Sequence, residues 1–176
     1  MINKTLIACF SRPGNNYVTG SIINLPVGNT ETAARLIKEL TGGDLFKIDS
    51  VNAYPDDYTD CTETAKKELE ADERPELSAW PESIQDYDTL ILGYPNWWGT
   101  MPMTVWTFLE RYDFSGKTIL PFCTHEGSGM GRSEANIRKL CPGADLKKGL
   151  AIRGSDVKNA GKAIAAWLHV SISEPL

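Results

Sequence analysis

The chain of 176 residues lacks any apolar stretch that approaches the roughly 20 residues needed to cross a bilayer. Its N-terminus also lacks the basic region, apolar stretch and cleavage site of an export signal. Of its four cysteines, Cys9, Cys61, Cys123 and Cys141, none lies in a CxxC pair or has zinc-like spacing with a histidine. We therefore expect no membrane segment, no metal site and four free thiols, which fits a cytoplasmic protein.

The whole chain has a formal net charge of −5, and its negative charge is concentrated in one segment. Residues 56–88 contain twelve Asp or Glu and three Lys or Arg. Such an acidic segment disfavours nucleic acid and could steer a basic protein partner, although a solvated helix face is the simpler explanation. We expect no nucleic-acid binding.

Short apolar runs alternate with runs of helical periodicity along the chain. The runs predict strands at residues 4–10, 44–48, 87–94, 117–123 and 146–152. Two helices are predicted at residues 58–73 and 132–140, and two others begin near residue 29 and near Pro102. A last helix is predicted to begin at a Ser155 cap, with Ala160, Ala163, Ile164 and Trp167 facing inward. This alternation predicts an α/β fold with a parallel sheet, and the length predicts one domain over residues 1–176.

A segment suited to binding a phosphate is present in two pieces. Residues 10–14 follow the first strand, and residues 28–32 open the first helix. A strand, a turn rich in glycine and hydroxyls, and a helix N-terminus present N–H groups and the positive end of the helix dipole to an anion. We expect the two pieces to fold together around one phosphate, although residues 15–27 separate them.

Two further loops are predicted at the same edge of the sheet, where ligands of open α/β sheets bind. Residues 94–100 contain Trp97 and Trp98, which cannot both be buried and which suggest a stacking surface for a flat ligand. Residues 124–131 contain three glycines that would let the backbone approach a ligand edge closely.

Other motif fragments are incomplete. Gly116-Lys117-Thr118 resembles the end of a Walker A loop, but its first glycine is missing and a strand follows. Ser11 with His125 lacks the surroundings of a nucleophilic serine, and Cys123 with His125 does not complete a metal site. We therefore assign no catalytic side chain and no metal ligand.

Taken together, the three loops resemble those of the flavodoxin family over essentially the full length. The resemblance implies a flavodoxin-like three-layer sandwich, with a five-stranded parallel sheet in the order 2-1-3-4-5, and a noncovalently bound FMN. It points to a branch with an insertion in the phosphate-binding loop. The residues that the resemblance assigns to FMN are Ser11, Arg12, Gly28, Asn29, Thr30, Thr32, Pro95, Asn96, Trp97, Trp98, Gly99, Thr124, His125, Glu126, Gly127, Ser128 and Gly129.

The resemblance also implies what each loop does. The phosphate would bind Ser11, Asn29, Thr30 and Thr32, with Arg12 adding charge. Residues 95–99 would line the isoalloxazine, with Trp97 or Trp98 against the ring, and residues 124–129 would hold its pyrimidine edge. The backbone around Trp98-Gly99-Thr100 would face flavin N5 and tune the semiquinone.

Two departures from the family leave the function open. The insertion at residues 15–27 contains Tyr17 and either covers the ligand or is a surface excursion. The third loop lacks the aromatic residue that often covers the outer flavin face, and His125 and Met130 are its large side chains. An open face would admit NAD(P)H or a quinone. We therefore expect an electron-transfer protein with redox partner proteins or, alternatively, an FMN-dependent NAD(P)H:quinone-type oxidoreductase.

Overall fold

In a computed structural model of the chain, which describes residues 4–173, strands and helices alternate as the sequence predicts. The strands are β1 (Thr5–Cys9), β2 (Gly14–Val18), β3 (Ser21–Leu25), β4 (Asp44–Lys47), β5 (Thr89–Pro95), β6 (Thr118–His125), β7 (Asp145–Leu146) and β8 (Leu150–Arg153). The helices are α1 (Asn29–Thr41), α2 (Tyr58–Glu70), α3 (Met103–Arg111), α4 (Ser133–Leu140), a 3₁₀ helix (Gly154–Asn159) and α5 (Gly161–Ser173).

The central sheet is parallel and has the order β4-β1-β5-β6, followed by β7 and β8 beside β6. The strands β7 and β8 pair with successive parts of β6, so they are the two halves of the predicted fifth strand. Between them, Gly149 N–H donates to Glu134 Oε1 at 2.7 Å, and the Lys148 carbonyl accepts from Trp167 Nε1 at 2.9 Å. The predicted order 2-1-3-4-5 is confirmed, with one interruption.

Helices cover both faces of the sheet, which confirms the three-layer sandwich. The residues Ile7 and Cys9 of β1 face a cluster that includes α1 and α5. Their neighbours Leu6 and Ala8 face the opposite cluster, which includes α3 and α4. Because side chains alternate between two buried faces, the strands read as continuous apolar runs in the sequence.

The last helix departs from its prediction. The residue Ser155 lies inside the 3₁₀ helix, and α5 begins only at Gly161, so the predicted cap is wrong. The side chain of Ala163 is exposed and Leu168 is buried instead. The 3₁₀ turns bury Val157 and wind more tightly than an α-helix, which changes the face that the following residues present.

Residues 14–25, which include most of the insertion expected at residues 15–27, form a β-hairpin that the sequence did not predict. Strands β2 and β3 pair antiparallel from Gly14↔Leu25 to Val18↔Ser21. The two turn residues, Thr19 and Gly20, have φ values of 50° and 88°, as a two-residue type I′ hairpin turn requires.

The four cysteines are buried and unpaired, as expected. Burial raises the pKa of the Cys9 thiol to about 12 and that of Cys141 to about 11, so both are protonated at neutral pH. Among residues 4–173, no helix is long and apolar enough to cross a membrane, and no cluster of three or more metal-ligating side chains occurs.

A carboxylate in the first turn of α1 ties this helix to the sheet edge. The Glu31 side chain is 9% exposed and accepts from Arg35 Nη2 at 2.6 Å and from Lys47 Nζ at 2.9 Å. Burial raises the pKa of Glu31, but the hydrogen bonds from Lys47 and Arg35 outweigh it and hold the pKa below its ordinary value of 4.5. Because the folded-state pKa is depressed, this stabilisation is present above pH 4.5 and is lost as the pH falls through the folded-state value.

We therefore predict that Glu31→Gln lowers the free energy of unfolding at pH 7 by about 1 kcal/mol, because the partner cations are largely exposed. The difference from wild type should shrink as the pH is lowered toward about 3. Urea denaturation at several pH values measures both quantities. The control is Glu39→Gln, an exposed position of the same helix, and a pH-independent difference for Glu31→Gln would contradict the assignment.

Candidate functional site

The two predicted pieces of the phosphate-binding segment meet at the N-terminus of α1. The hydroxyl oxygen of Ser11 accepts the backbone N–H of Glu31 at 3.0 Å. It caps the helix in place of Gly28, the N-cap residue, which provides no side-chain hydrogen bond. A Cβ on Gly28 would lie 2.3 Å from Ser11 Oγ and 2.7 Å from the Arg12 carbonyl oxygen. The absence of a side chain at Gly28 therefore lets the two pieces form one cradle.

A cavity of about 320 Å³ opens beside this cradle, at the carboxyl edge of the sheet. All three predicted loops contribute to it. The expected residues that line it are Ser11, Arg12, Asn29, Thr30, Pro95, Asn96, Trp97, Thr124, His125, Glu126, Gly127 and Ser128. It is also lined by Asn16, Tyr17, Tyr58 and Gly154, which the expected set did not contain.

Five expected residues, Gly28, Thr32, Trp98, Gly99 and Gly129, do not line this cavity. Gly28 lies behind Ser11, and the Thr32 hydroxyl donates to the Gly28 carbonyl at 3.2 Å, inside the helix. The Gly129 carbonyl accepts from Asn96 Nδ2 at 2.8 Å, so it holds the second loop against the third.

The adjacent tryptophans have different environments. The Trp97 ring packs edge-on against Phe10 and Tyr54, with centroid distances of 5.1 and 5.0 Å. The Trp98 ring is 49% exposed, and its indole N–H donates to the Thr62 carbonyl of α2 at 2.8 Å. The expectation that the two tryptophans are not both buried is therefore confirmed, and Trp97 is the one that lines the cavity.

The backbone N–H and carbonyl of Gly99 both form hydrogen bonds within the protein. With φ values of 55° and 83°, Trp98 and Gly99 form a tight turn. The Gly99 N–H donates to Asn96 Oδ1 at 2.9 Å, and its carbonyl accepts from Arg132 N–H at 2.7 Å. Both polar groups of the Gly99 backbone therefore have a partner within the protein, and its carbonyl oxygen can accept one further hydrogen bond.

Arg12 joins two loops. Its Nη1 donates to the Asn15 carbonyl, and its Nη2 donates to the carbonyls of Pro55 and Asp56 at 2.6 and 2.8 Å. These bonds tie the start of the hairpin to the segment before α2. The guanidinium is thus engaged by neutral backbone oxygens, whereas the sequence suggested that it adds charge at the phosphate.

The third loop is tied to the cradle and to the second loop. The hydroxyls of Thr30 and Thr124 lie 2.7 Å apart, both buried, and the Asn96 N–H donates to the Thr124 carbonyl at 2.8 Å. His125 Nδ1 accepts the Gly127 N–H at 2.9 Å. Burial and the neighbouring Arg153 lower the pKa of His125, which keeps the imidazole uncharged at neutral pH.

A carboxylate faces the cavity with one oxygen unpaired. Glu126 Oε2 accepts the Thr19 N–H at the hairpin tip at 3.2 Å. Its Oε1 is buried and has no hydrogen-bond partner among the described residues. A Cβ on Gly154 would lie 2.4 Å from this oxygen and 2.4 Å from Asn29 Nδ2, so the glycine leaves room between the two side chains.

The lining residues missed by the sequence analysis come from two sources. Tyr58 and Gly154 lie in the segments that follow β4 and β8. Ligands of open α/β sheets bind beyond the carboxyl ends of such strands, so both residues could have been expected at the site. Asn16 and Tyr17 belong to the hairpin, whose Tyr17 ring packs against Tyr58 with a centroid distance of 6.3 Å. The insertion therefore forms one wall of the cavity.

A helix-capped cradle at the carboxyl edge of a parallel sheet in this order defines a nucleotide-binding α/β protein of the flavodoxin type. A sequence profile of the flavodoxin family (Flavodoxin_4, described as Flavodoxin) matches residues 17–170. The chain belongs to this family, which confirms the family and the fold expected from the sequence. FMN is the cofactor of the flavodoxin family and, by this membership, of the chain.

Individual relatives agree with this assignment. Flavodoxin 1 of Escherichia coli K12 is 28% identical over 128 residues, 70% of this chain, but the chain spans only about half (55%) of that relative's length. A protein of Bacteroides eggerthii that is assigned as a flavoprotein has a similar structure, with a TM-score of 0.76 and 30% identity over 97% of this chain and 99% of that one. A Lactobacillus acidophilus flavoprotein crystallised with FMN shares the fold, with a TM-score of 0.63 and 19% identity over 89% of this chain and 97% of that one.

The cradle depends on the missing side chain of Gly28, whose φ of −64° is ordinary for any residue. We predict that Gly28→Ala lowers FMN affinity by about tenfold or more, because the added methyl group pushes Ser11 away from the helix N-terminus. Fluorescence titration of the apoprotein with FMN measures the affinity. The control is Gly161→Ala, whose Cβ would meet nothing within 4 Å; equal FMN affinities for the two variants would contradict the prediction.

Proposed function

We propose that the chain is an electron-transfer protein that binds FMN in the cavity beside the cradle. The observation that carries this proposal is the joined cradle, in which Ser11 completes the N-terminus of α1. The helix dipole and the N–H groups at that terminus favour the phosphate of FMN. The cavity then extends past the second and third loops, which leaves room for the flat part of the cofactor.

In this proposal Ser11, Asn29 and Thr30 hold the phosphate, because they line the cavity where it meets α1. Thr32 and Gly28 act behind them by shaping the helix start. Arg12 holds the hairpin in place through backbone carbonyls. The unpaired Glu126 oxygen would repel a phosphate, but it can accept a hydrogen bond from a neutral hydroxyl such as those of the ribityl chain.

The flavin ring would lie against Pro95, Asn96 and Trp97 on one side and residues 125–128 of the third loop on the other. FMN supplies the redox chemistry in one or two electron steps, and the protein adjusts its potential. The uncharged His125 provides no cation that would stabilise a negatively charged reduced ring. Pro95, Asn96, Trp97 and His125 would therefore bind the ring by packing and hydrogen bonding rather than by charge.

The acidic segment at residues 56–88 supports docking of basic redox partner proteins, because it includes α2, which borders the cavity through Tyr58. Four buried free thiols favour a reducing compartment, and we propose a cytoplasmic location.

A second candidate is an FMN-dependent oxidoreductase that uses NAD(P)H or a quinone directly. It is favoured by a second cavity of about 370 Å³, which shares Arg12, Asn16, Tyr58, Asn96 and Trp97 with the first. A small molecule in that space would lie next to the cofactor. A protein that only exchanges electrons with other proteins does not need such a space.

Rapid mixing with NADPH distinguishes the two functions. We predict that NADPH alone bleaches the flavin absorbance of the FMN-loaded protein no faster than it bleaches free FMN at the same concentration. A reductase of the electron-transfer type, added as a third component, should accelerate the bleaching. Fast bleaching without any partner protein would establish the oxidoreductase instead.

A further inference from the structure

An arginine at the end of the last strand lies against the wall of the first cavity. Arg153 is the last residue of β8 and pairs in the sheet with His125, the last residue of β6, which lines that cavity. A Cβ on Gly127, another lining residue, would lie 3.9 Å from Arg153 Nη2. The guanidinium therefore lies against the third loop, although Arg153 itself does not line the cavity.

The charge of Arg153 is not neutralised by a partner. Among residues 4–173, its guanidinium forms no ion pair and no hydrogen bond. By contrast, Arg35 and Arg74 each form ion pairs with carboxylates. The field of Arg153 is therefore reduced by solvent and salt but not by an adjacent counter-charge.

This field reaches the cavity, because it acts on a lining residue. Burial is the main cause that lowers the pKa of His125, Arg153 lowers that pKa further, and Glu126 raises it to a smaller extent. A cation that disfavours a proton at this wall favours a negative charge placed beside it. Of the two charged side chains that act on His125, the cation is the stronger.

Two other cations near the site act on other parts of the cavity. Arg12 lines it on the side of the cradle, where its guanidinium donates to three backbone carbonyls. Arg132 lies beside the second loop, with its Nε 3.9 Å from the position of a Cβ on Gly99. The causes of the lowered pKa of His125 include neither of them. At the third loop, the effective cation in the described part of the chain is therefore Arg153.

A carboxylate limits the effect of Arg153 at the other end of the cavity. The buried Glu126 Oε1 and the Asn29 Nδ2 at the start of α1 would both lie 2.4 Å from a Cβ on Gly154. The Glu126 charge therefore opposes the Arg153 charge at the end where the phosphate would bind. At His125, against which the ring would lie, the Arg153 charge outweighs it.

We propose that Arg153 stabilises the negative charge that the flavin ring gains on reduction, and thereby raises the reduction potential of the bound FMN. Two electrons from a redox partner, together with one proton, convert the neutral oxidised ring into a ring with one negative charge. A cation beside the third loop lowers the free energy of the charged form relative to the neutral one. This inference rests on the proposed function, because it requires FMN to lie against the third loop.

Arg153→Gln removes the charge and keeps a polar side chain. We expect it to lower the equilibrium constant for two-electron reduction of the bound FMN by about threefold to tenfold, which lowers the midpoint potential by ~14–30 mV. A spectroscopic redox titration with dithionite against a reference dye measures the potential. The difference should shrink at high ionic strength, because Arg153 is exposed. The affinity for oxidised FMN should change by less than about twofold.

Two variants test whether the charge at this position is responsible. Arg153→Lys keeps the charge and should keep a potential close to that of the wild type. Arg138→Gln removes an exposed cation from the last turn of α4, so it changes the net charge equally, and it should leave the potential unchanged. An unchanged potential in Arg153→Gln overturns the inference, as does an equal fall in Arg138→Gln or in Arg153→Lys. If Arg153→Gln does not fold, as judged by circular dichroism, Arg153→Thr removes the same charge with a residue suited to a strand.

Comparison of the two oxidation states separates the ring from the phosphate. If Arg153→Gln weakens the binding of oxidised and reduced FMN equally, the potential does not change, and Arg153 would instead bind the phosphate. That result also overturns the inference. A wild-type protein that takes up no FMN refutes the proposed function, whereas one that binds FMN with a potential independent of Arg153 refutes only this inference.

Discussion

The site depends on one hydrogen bond, from the backbone N–H of Glu31 to the hydroxyl of Ser11, 20 positions earlier in the chain. The first N–H groups of a helix have no partner inside the helix, and a helix that starts with glycine has no side chain to supply one. Ser11, in the loop that follows β1, caps α1. The missing side chain of Gly28 leaves space for the Ser11 hydroxyl. The two halves of the phosphate-binding segment are therefore in contact in the fold, although they are separated in sequence.

The hairpin explains how an insertion can lie inside a binding segment without destroying it. Because Gly14 pairs with Leu25, the insertion leaves and returns at nearly the same place, so its length does not separate the flanking residues. The hairpin also makes contacts around the cavity. Asn16 donates to the carbonyls of Arg12 and Gly14, Tyr17 packs on Tyr58, and the tip reaches Glu126 across the cavity. Through these contacts the hairpin forms one wall of the first cavity.

Much of the fold was predictable, because strands that are buried on both faces, such as β1 and β5, leave continuous apolar runs in the sequence. The hairpin was not, because β2 is only partly buried, β3 is largely exposed and both contain asparagines, so burial imposes no pattern on them. The three loops of the site were predictable from their position at strand ends. The distant partners of Arg12, Pro55 and Asp56, were not, because they lie 43 and 44 positions away and bind through backbone carbonyls, which any sequence provides.

Membership of the flavodoxin family determines the cofactor but does not by itself determine what exchanges electrons with it. That depends on the walls around the cofactor site. Here those walls are the hairpin and the start of α2, which meet through Tyr17 and Tyr58 and are held together by Arg12. The same elements separate the first cavity from the second, since Arg12, Asn16 and Tyr58 line both. The hairpin and the start of α2 are therefore the elements that border both cavities.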